Sequence, residues 1–206
     1  MSIRMKTLRR YLKNLLLQLK HIKETKFQSS VFKSVNIYFQ DESRFGLLTI
    51  QRRVLTVRGV KPLTPYQHKF KNLYLFGAYS PITGTQFTLE LPKCNTDCFQ
   101  LYLDRFSRQH ANEFKIIILD NGAFHKAAQL EIPKNIGLLF IPPYSPELNP
   151  AEKIWRHIKD EIANEVFTTI ETLSDRLCKE IKELSKKVVK SITGFELYIN
   201  NFNAVF

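Results

Sequence analysis

The spacing of hydrophobic residues predicts a helix first and a run of short strands after it. Between residues 5 and 22, apolar side chains recur every three or four positions with basic side chains between them, which is typical of an amphipathic helix. Short apolar runs bounded by turn residues then predict strands at residues 35–40, 46–50, 54–57, 73–79 and 86–91. Connections this short favour an antiparallel meander.

The second half of the chain alternates helices with strands. Residues 96–111 are spaced like a helix, and residues 115–119 form a continuously apolar run of the kind found in buried strands. A short helix near 123–130, a strand at 137–141 and a helix from Asn149 to about Glu165 follow. A capping-box pattern at 168–171 opens a last helix, whose apolar face extends to Val188. This order predicts an α/β fold of the ribonuclease H-like type, a mixed sheet flanked by helices.

The chain is strongly basic, which favours a polyanionic partner. Its 206 residues contain 31 Lys and Arg against 19 Asp and Glu, a formal net charge of +12. An excess of this size favours nucleic acid, although a basic protein without such a partner is the alternative. No apolar run approaches the roughly 18 residues that a membrane span requires, so we expect no membrane partner. The three sparse cysteines suit a reducing compartment, and we expect a cytoplasmic protein.

Three acidic residues stand where predicted elements can converge at one edge of the sheet. Asp41 ends the apolar run 35–40, Asp120 ends the run 115–119, and Glu152 lies one turn into the helix that follows a proline-rich segment. In open α/β sheets, ligands gather beyond the carboxyl ends of the strands. Three convergent carboxylates repel one another unless divalent cations neutralise them. Without Cys or His in the pattern, such a site suits Mg²⁺ or Mn²⁺ better than zinc.

Each of these residues also has an explanation that requires no function. Asp41 can close a strand as a solvated turn residue, and Asp120 begins an Asp-Asn-Gly turn. Glu152 falls at the third position of a helix with Asn149 as its N-cap, which is a capping-box arrangement. The order and spacing of the three residues together favour a metal site over three separate structural roles.

Basic residues suited to contact a phosphate backbone lie in two groups. The first follows Asp41 and consists of Arg52, Arg53, Arg58, Lys61, His68, Lys69 and Lys71. Clustered cations without a distinctive pattern position a phosphate backbone rather than read bases, and a solvated hairpin face is the alternative. The second group, Arg156 and Lys159, shares one side of a predicted helix with Glu152. Their proximity in sequence also makes His125 and His157 candidates for a supporting contact to the acidic residues.

Three blocks of the sequence resemble the motifs of one protein family. They are FQDESRFG at residues 39–46, LDNGAFHK at 119–126 and PPYSPELNPAEKIW at 142–155. Their order and spacing are similar to those of the DDE transposases of bacterial insertion sequences, in the branch related to mariner elements. The third block is long and highly specific, and the resemblance extends over roughly residues 33–190.

The resemblance implies a ribonuclease H-like DDE catalytic domain at residues 31–206, preceded by a basic amphipathic helix and linker at 1–30. It implies that Asp41, Asp120 and Glu152 are catalytic and bind two Mg²⁺ ions, with Mn²⁺ as a substitute. The implied reactions are hydrolytic cleavage at transposon ends and attack of the freed 3′-hydroxyl on target DNA, with insertion at TA dinucleotides. The implied setting is a homodimer on DNA in the nucleoid of a bacterial cytoplasm.

The chain departs from this family ahead of the first aspartate. Relatives carry helix-turn-helix or winged-helix domains of about a hundred residues there, whereas 40 residues precede Asp41. We therefore expect a catalytic domain without its sequence-reading module, from a truncated copy or a split reading frame. Two alternatives are a non-catalytic, DNA-binding or dimerising regulator of a full-length transposase, and a ribonuclease H-like nuclease for branched DNA or RNA–DNA hybrids.

Overall fold

A mixed β-sheet forms the centre of the computed structural model, which describes residues 3–27 and 29–206. The strands are β1 (Ser34–Gly46), β2 (Asn72–Tyr79), β3 (Gln86–Leu91), β4 (Glu113–Leu119) and β5 (Ile136–Phe140), in the spatial order β3-β2-β1-β4-β5. β1, β2 and β3 form an antiparallel meander, and β4 and β5 add to it in parallel. The predicted α/β fold with a mixed sheet is confirmed.

Helices cover both faces of this sheet. They are α1 (Ile3–Thr25), α2 (Thr96–Arg108), α3 (Ala151–Glu161), α4 (Ile170–Glu183), α5 (Lys186–Thr193) and α6 (Glu196–Asn203), with 3-10 turns at Ala123–Lys126 and Pro146–Leu148. α2 packs on one face, and the other helices share a larger core on the opposite face. None of the described helices is long and apolar enough to cross a membrane.

The alternation of side chains along β1 divides the core into these two layers. Ile37, Phe39 and Phe45 face the larger layer, whereas Tyr38 faces α2 and contacts the ring of Phe106 at 5.0 Å between centroids. Successive side chains of a strand point to opposite faces, so β1 contributes to both cores at once. This burial on both sides explains why the strand is almost continuously apolar at its centre.

Helix α1 belongs to the larger core. Its buried residues Tyr11, Leu15, Leu19 and Ile22 follow helical spacing, and Tyr198 on α6 donates a hydrogen bond to the Tyr11 hydroxyl at 3.1 Å. The predicted amphipathic helix is confirmed over these positions. The side chains of residues 3–10, 12 and 13, which include most of its basic face, lie outside the described part. The proposed boundary between residues 1–30 and 31–206 stays a prediction.

The two short strands predicted at residues 46–50 and 54–57 are wrong. Residues 47–71 form a long connection between β1 and β2 without regular structure, and its apolar side chains Val54, Leu55 and Val57 are exposed. Strand-forming residues alone do not make a strand, because the backbone also needs a partner for its hydrogen bonds. Here two backbone hydrogen bonds join the arms of the connection near the sheet, from Leu47 N to Lys71 O at 3.0 Å and from Thr49 N to Gln67 O at 3.2 Å. Residues 54–57 pair with none of the described strands.

The last predicted helix is divided in the structure. α4 ends at Glu183, and the Ser185 hydroxyl accepts a hydrogen bond from Val188 N at 3.3 Å, which caps the separate helix α5. The capping box that opens α4 pairs Thr169 with Thr172, one residue later than the predicted pattern. A serine at such a position offers the backbone an alternative to helical hydrogen bonds, so the apolar face continues while the helix stops.

Lys115 is a fully buried cation on β4. Its ammonium donates to the carbonyl oxygens of His110 at 3.0 Å and Glu113 at 3.3 Å, and it lies 5.6 Å from the centre of the Phe106 ring. Burial lowers the pKa of Lys115 from 10.5 to about 8, against the raising effect of Glu113. The charged form is therefore less favourable in the folded chain than in the unfolded chain.

We expect Lys115→Met to remove part of the pH dependence of stability. Between pH 8 and 10.5 the unfolded chain holds a proton on Lys115 that the folded chain has released. Relative to Lys115→Met, the free energy of unfolding of the wild type should therefore rise across this range, by up to about 3 kcal/mol. Denaturant melts of both proteins test this, because titration of the tyrosines is common to both. Parallel curves for the two proteins would contradict the pKa shift.

Candidate active site

Asp41 and Asp120 lie side by side where the parallel pairing of β1 and β4 ends. The last parallel pair is Phe39 with Ile118, and two further residues along each strand lead to the two aspartates. β1 itself does not end there, as the sequence predicted, because its antiparallel pairing with β2 continues through Asp41 and Gly77 to Gly46. Asp41 is thus beyond the pairing of β1 with β4 but is still paired with β2.

Glu152 reaches the same place from the first turn of α3. The loop after β5 leads to Asn149, whose side-chain amide donates to Gln40 O at 2.9 Å, next to Asp41. The Asn149 side-chain oxygen accepts from Ala151 N at 3.2 Å. The predicted capping box between Asn149 and Glu152 is wrong, because Pro150 is the N-cap and makes no side-chain cap bond. Asn149 instead ties the helix start to β1, a long-range contact that local pattern does not reveal.

The three acidic side chains line one cavity of about 450 Å³. Asp41 is half-buried there, whereas Asp120 and Glu152 are exposed. Burial raises the pKa of Asp41 well above its usual value, and the charges of Glu42, Glu152 and Asp120 raise it further. Partial loss of solvent around its carboxylate also raises the pKa of Glu152, against the lowering effect of Arg156 and with a further raising effect of Asp120 and Glu147. The carboxylates therefore repel one another across the cavity.

His125 is buried between two carboxylates beneath this cavity. Its Nε2 lies 3.0 Å from Glu42 Oε1, and its Nδ1 lies 2.9 Å from Asp120 Oδ1. Both contacts are ion pairs when the imidazole carries its second proton. Burial lowers the pKa of His125, but the two carboxylates outweigh it and raise that pKa to about 9. The contact with His125 in turn lowers the pKa of Asp120.

The sequence did not single out Glu42, and it left the role of His125 open. Asp41 and Glu42 are neighbours on a strand and point to opposite faces, so Glu42 reaches His125 while Asp41 faces the cavity. A Cβ atom at Gly122 would lie 3.0 Å from His125 Nδ1 and 3.2 Å from Asp120 Oδ1. Glycine thus permits the close approach of these two groups, and the turn Asp120-Asn121-Gly122 was its signal in the sequence.

The donor set has the chemistry of a magnesium or manganese site. Oxygen ligands, a shared cavity and mutual repulsion all favour a divalent cation. In the described part of the chain, however, no three His, Cys, Asp or Glu side chains are close enough to hold one ion together. Metal binding would therefore require the carboxylates to turn towards one another, and the two expected ions stay a prediction.

A basic groove of about 300 Å³ lies near Asp41, whose charge acts on Lys159 in its lining. Its cations are Arg44, Arg52, Lys69, Lys71 and Lys159. The Lys159 ammonium lies 5.3 Å from the centre of the Phe45 ring. Burial lowers the pKa of Lys159, against the effect of Asp41 and together with Arg52 and Arg44. Like charges are therefore gathered in this groove, which suits an anion.

The structure brings some of the predicted DNA-contacting residues to this groove and leaves others apart. Arg53, Arg58 and Lys61 are exposed along the connection after β1 and do not line the groove. Arg156 is exposed on α3, near enough to Glu152 to lower its pKa. Arg52 forms an exposed ion pair with Asp160 at 2.6 Å. Arg44 lines the groove although the sequence did not single it out.

Solved structures of Mos1 transposase share this fold. The chain matches the paired-end complex with left transposon end (17% identity, TM-score 0.66), the pre-cleavage transpososome (15%, 0.68) and the mariner paired end complex with Mn (18%, 0.61). Each match covers 100% of this chain but only 63%, 64% and 60% of the Mos1 chains. The ribonuclease H-like fold is thereby confirmed.

Two comparisons at the level of sequence point to a family. The chain is 36% identical over 107 residues to an uncharacterised protein, y4pE/y4sA, of Sinorhizobium fredii. The aligned residues cover 51% of this chain and 79% of that protein. The family model of the DDE superfamily endonucleases matches residues 36–174, a span that contains Asp41, Asp120 and Glu152. The chain belongs to the DDE superfamily of endonucleases.

Proposed function

We propose that the chain is the catalytic domain of a DNA transposase that cuts phosphodiester bonds at transposon ends and transfers the freed strand to target DNA. The observation that carries this proposal is the convergence on one cavity of carboxylates from β1, from the residue that follows β4 and from α3. Membership of the endonuclease family and the likeness to Mos1 complexes support it. The chain spans less than two thirds of the Mos1 chains, so recognition of transposon ends is part of the proposal.

Asp41, Asp120 and Glu152 would hold Mg²⁺ or Mn²⁺ in this mechanism. Bound ions would activate a water or 3′-hydroxyl and stabilise the leaving oxygen. Asp120 is oriented by contacts that both use Oδ1, from His125 Nδ1 and from Gly122 N at 2.9 Å. The Oδ2 atom of Asp120 is therefore the oxygen that is left to coordinate a metal ion. Glu42 fixes the other side of the imidazole, as outer partners of metal sites commonly do.

The cations around the cavity would position the DNA backbone. Lys159 and Arg44 lie in the groove beside Asp41, and Arg156 follows Glu152 by one turn of α3. Such contacts set where the phosphodiester lies without reading its sequence. A homodimer on DNA, two metal ions and a place in a bacterial cytoplasm complete the proposal.

Replacement of any one of the three acidic residues should abolish metal-dependent cleavage and strand transfer. The variants are Asp41→Asn, Asp120→Asn and Glu152→Gln, measured with labelled linear and supercoiled DNA in Mg²⁺ and Mn²⁺. Asp41→Asn removes a charge that Glu42, Glu152 and Asp120 repel, so its metal-free melting temperature should not fall. Lost activity at unchanged stability would separate a chemical role from a folding defect. Wild-type rates in the Asp120→Asn protein would refute the assignment.

The non-catalytic alternative has one observation in its favour, since the described carboxylates do not form a ready metal cluster. A regulator of this kind would bind DNA with a strong dependence on salt and would cut nothing in either metal. The same cleavage assay therefore decides between the two functions. Adding Mg²⁺ in calorimetry gives a second readout, because a regulator without a metal site would show no saturable binding.

We expect His125→Ala to weaken metal binding, beyond any effect that it has on folding. Loss of an outer partner of a metal ligand typically costs about 10–100-fold in metal affinity or activity. Cleavage by the variant should recover in part at high Mn²⁺ concentration, and calorimetry should show weaker binding of Mn²⁺. His157→Ala is the matched control, because His157 lies half-buried on α3 and not between the carboxylates. Equal metal requirements in both variants would exclude a positioning role for His125.

A further inference from the structure

A row of exposed rings lies on the connection between β1 and β2. Tyr66, His68 and Phe70 alternate along the chain with Gln67, Lys69 and Lys71. The rings follow one another, with centroids 6.2 Å apart between Tyr66 and His68 and 4.7 Å apart between His68 and Phe70. Tyr66 is 56% exposed and Phe70 is 72% exposed, so the larger part of each ring meets solvent. We call Tyr66, His68 and Phe70 the aromatic row.

The residues between the rings hold this segment against the protein. The Gln67 side-chain amide donates to Leu47 O at 3.0 Å and to Phe167 O at 2.7 Å. Its backbone N donates to the Thr49 hydroxyl at 2.8 Å. Because neighbouring side chains of an extended segment point to opposite sides, anchoring Gln67 inward directs the aromatic row outward. The exposure of the rings is thus a consequence of a fixed backbone.

The row ends in the basic groove. Phe70 lines this groove together with Lys69, Lys71, Arg44 and Lys159. Among the described cations of the groove, Arg52 has an ion-pair partner in Asp160. Exposed rings next to a cluster of cations favour a ligand in which negatively charged groups alternate with flat rings. Single-stranded nucleic acid has this composition, since its phosphates are charged and its bases stack on aromatic side chains.

We propose that the aromatic row and the basic groove bind unpaired nucleotides of a DNA strand beside the carboxylate cavity. The bases stack on Tyr66, His68 and Phe70, and Lys71, Arg44 and Lys159 contact the phosphates. Paired bases in a duplex do not offer their faces to a protein ring, so the row selects DNA that is frayed or single-stranded there. This inference rests on the proposed action on DNA and adds the state of the strand that enters the site. A second copy of this basic surface would repel the groove, which disfavours contact between two copies through this same surface.

The test measures fluorescence anisotropy of a labelled oligothymidylate of about twelve nucleotides with the whole chain in EDTA. Tyr66→Ala and Phe70→Ala should each weaken binding about tenfold or more. Phe70→Trp should preserve the affinity, whereas Phe70→Leu should not, because leucine keeps an apolar surface but has no ring to stack. Lys71→Gln should lower the slope of the salt dependence by about one. Leu63→Ala is the matched control, since Leu63 is 96% exposed on the same connection but outside the row.

Several results would overturn the inference. One is equal affinity of Phe70→Leu, Phe70→Trp and wild type for the oligonucleotide. Another is equal weakening of blunt duplex and single strand in the ring variants. A third is conversion of a dimer to a monomer by Phe70→Ala in sedimentation with unchanged oligonucleotide affinity, which would assign the row to contacts between copies.

Oligonucleotide binding and DNA cleavage test the two proposals separately. A chain that binds the oligonucleotide through Phe70 but cuts no DNA in Mg²⁺ or Mn²⁺ would refute the proposed transposase and leave the strand-binding row in place. If the chain cuts DNA but its ring variants bind the oligonucleotide like wild type, the strand-binding row is refuted and the proposed transposase is not.

Discussion

The parallel pairing of β1 with β4 is the contact on which the candidate site depends. It places Asp41 and Asp120 next to each other although 78 residues separate them in sequence, as the pair Phe39 and Ile118 shows two positions earlier. Both strands are buried at the centre of the sheet between two hydrophobic layers. A shift of one residue in this register would turn a whole set of apolar side chains to the wrong face, so the core itself holds the aspartates in register.

The position of Glu152 depends on how closely α3 approaches the sheet. Gly77 lies opposite Asp41 on β2, and a Cβ atom there would be 2.7 Å from the Trp155 ring and 2.5 Å from the Tyr79 hydroxyl. The missing side chain thus makes room for Trp155 against the strand beside the first aspartate. Together with the Asn149 hydrogen bond to Gln40 O, this packing fixes the start of the helix relative to β1.

Charges of opposite sign are separated over a short distance in this molecule. The carboxylates repel one another in their cavity, and the cations are gathered in the adjoining groove. α3 carries a member of each set, with Glu152 in its first turn and Lys159 in its last. Asp41 acts on Lys159 across the boundary. An arrangement of this kind suits a phosphodiester, because the same ligand brings negative charge to the groove and oxygen atoms to bound metal ions.

The sequence determined those features that depend on local pattern and on long motifs. Strand and helix periodicity was sufficient for the sheet, α2 and the buried face of α1, and three motif blocks were sufficient for the family. The regions that it misjudged depend on partners far away in the chain. Strand propensity at residues 54–57 meets no neighbouring strand, and the Asn149 side chain bonds a carbonyl 109 residues away instead of forming the local capping box with Glu152.

Only the tertiary structure decided what surrounds the three carboxylates. Glu42 and His125 are 83 residues apart and meet because β1 and the turn after β4 share one side of the sheet. Arg44 joins Lys159 in the groove because β1 continues beyond Asp41. The aromatic row faces outward because Gln67 is held inward by contacts with Leu47 and Phe167. Periodicity in the sequence assigns a side chain to one face of a helix or strand. The packing of distant segments determines which other groups it meets on that face.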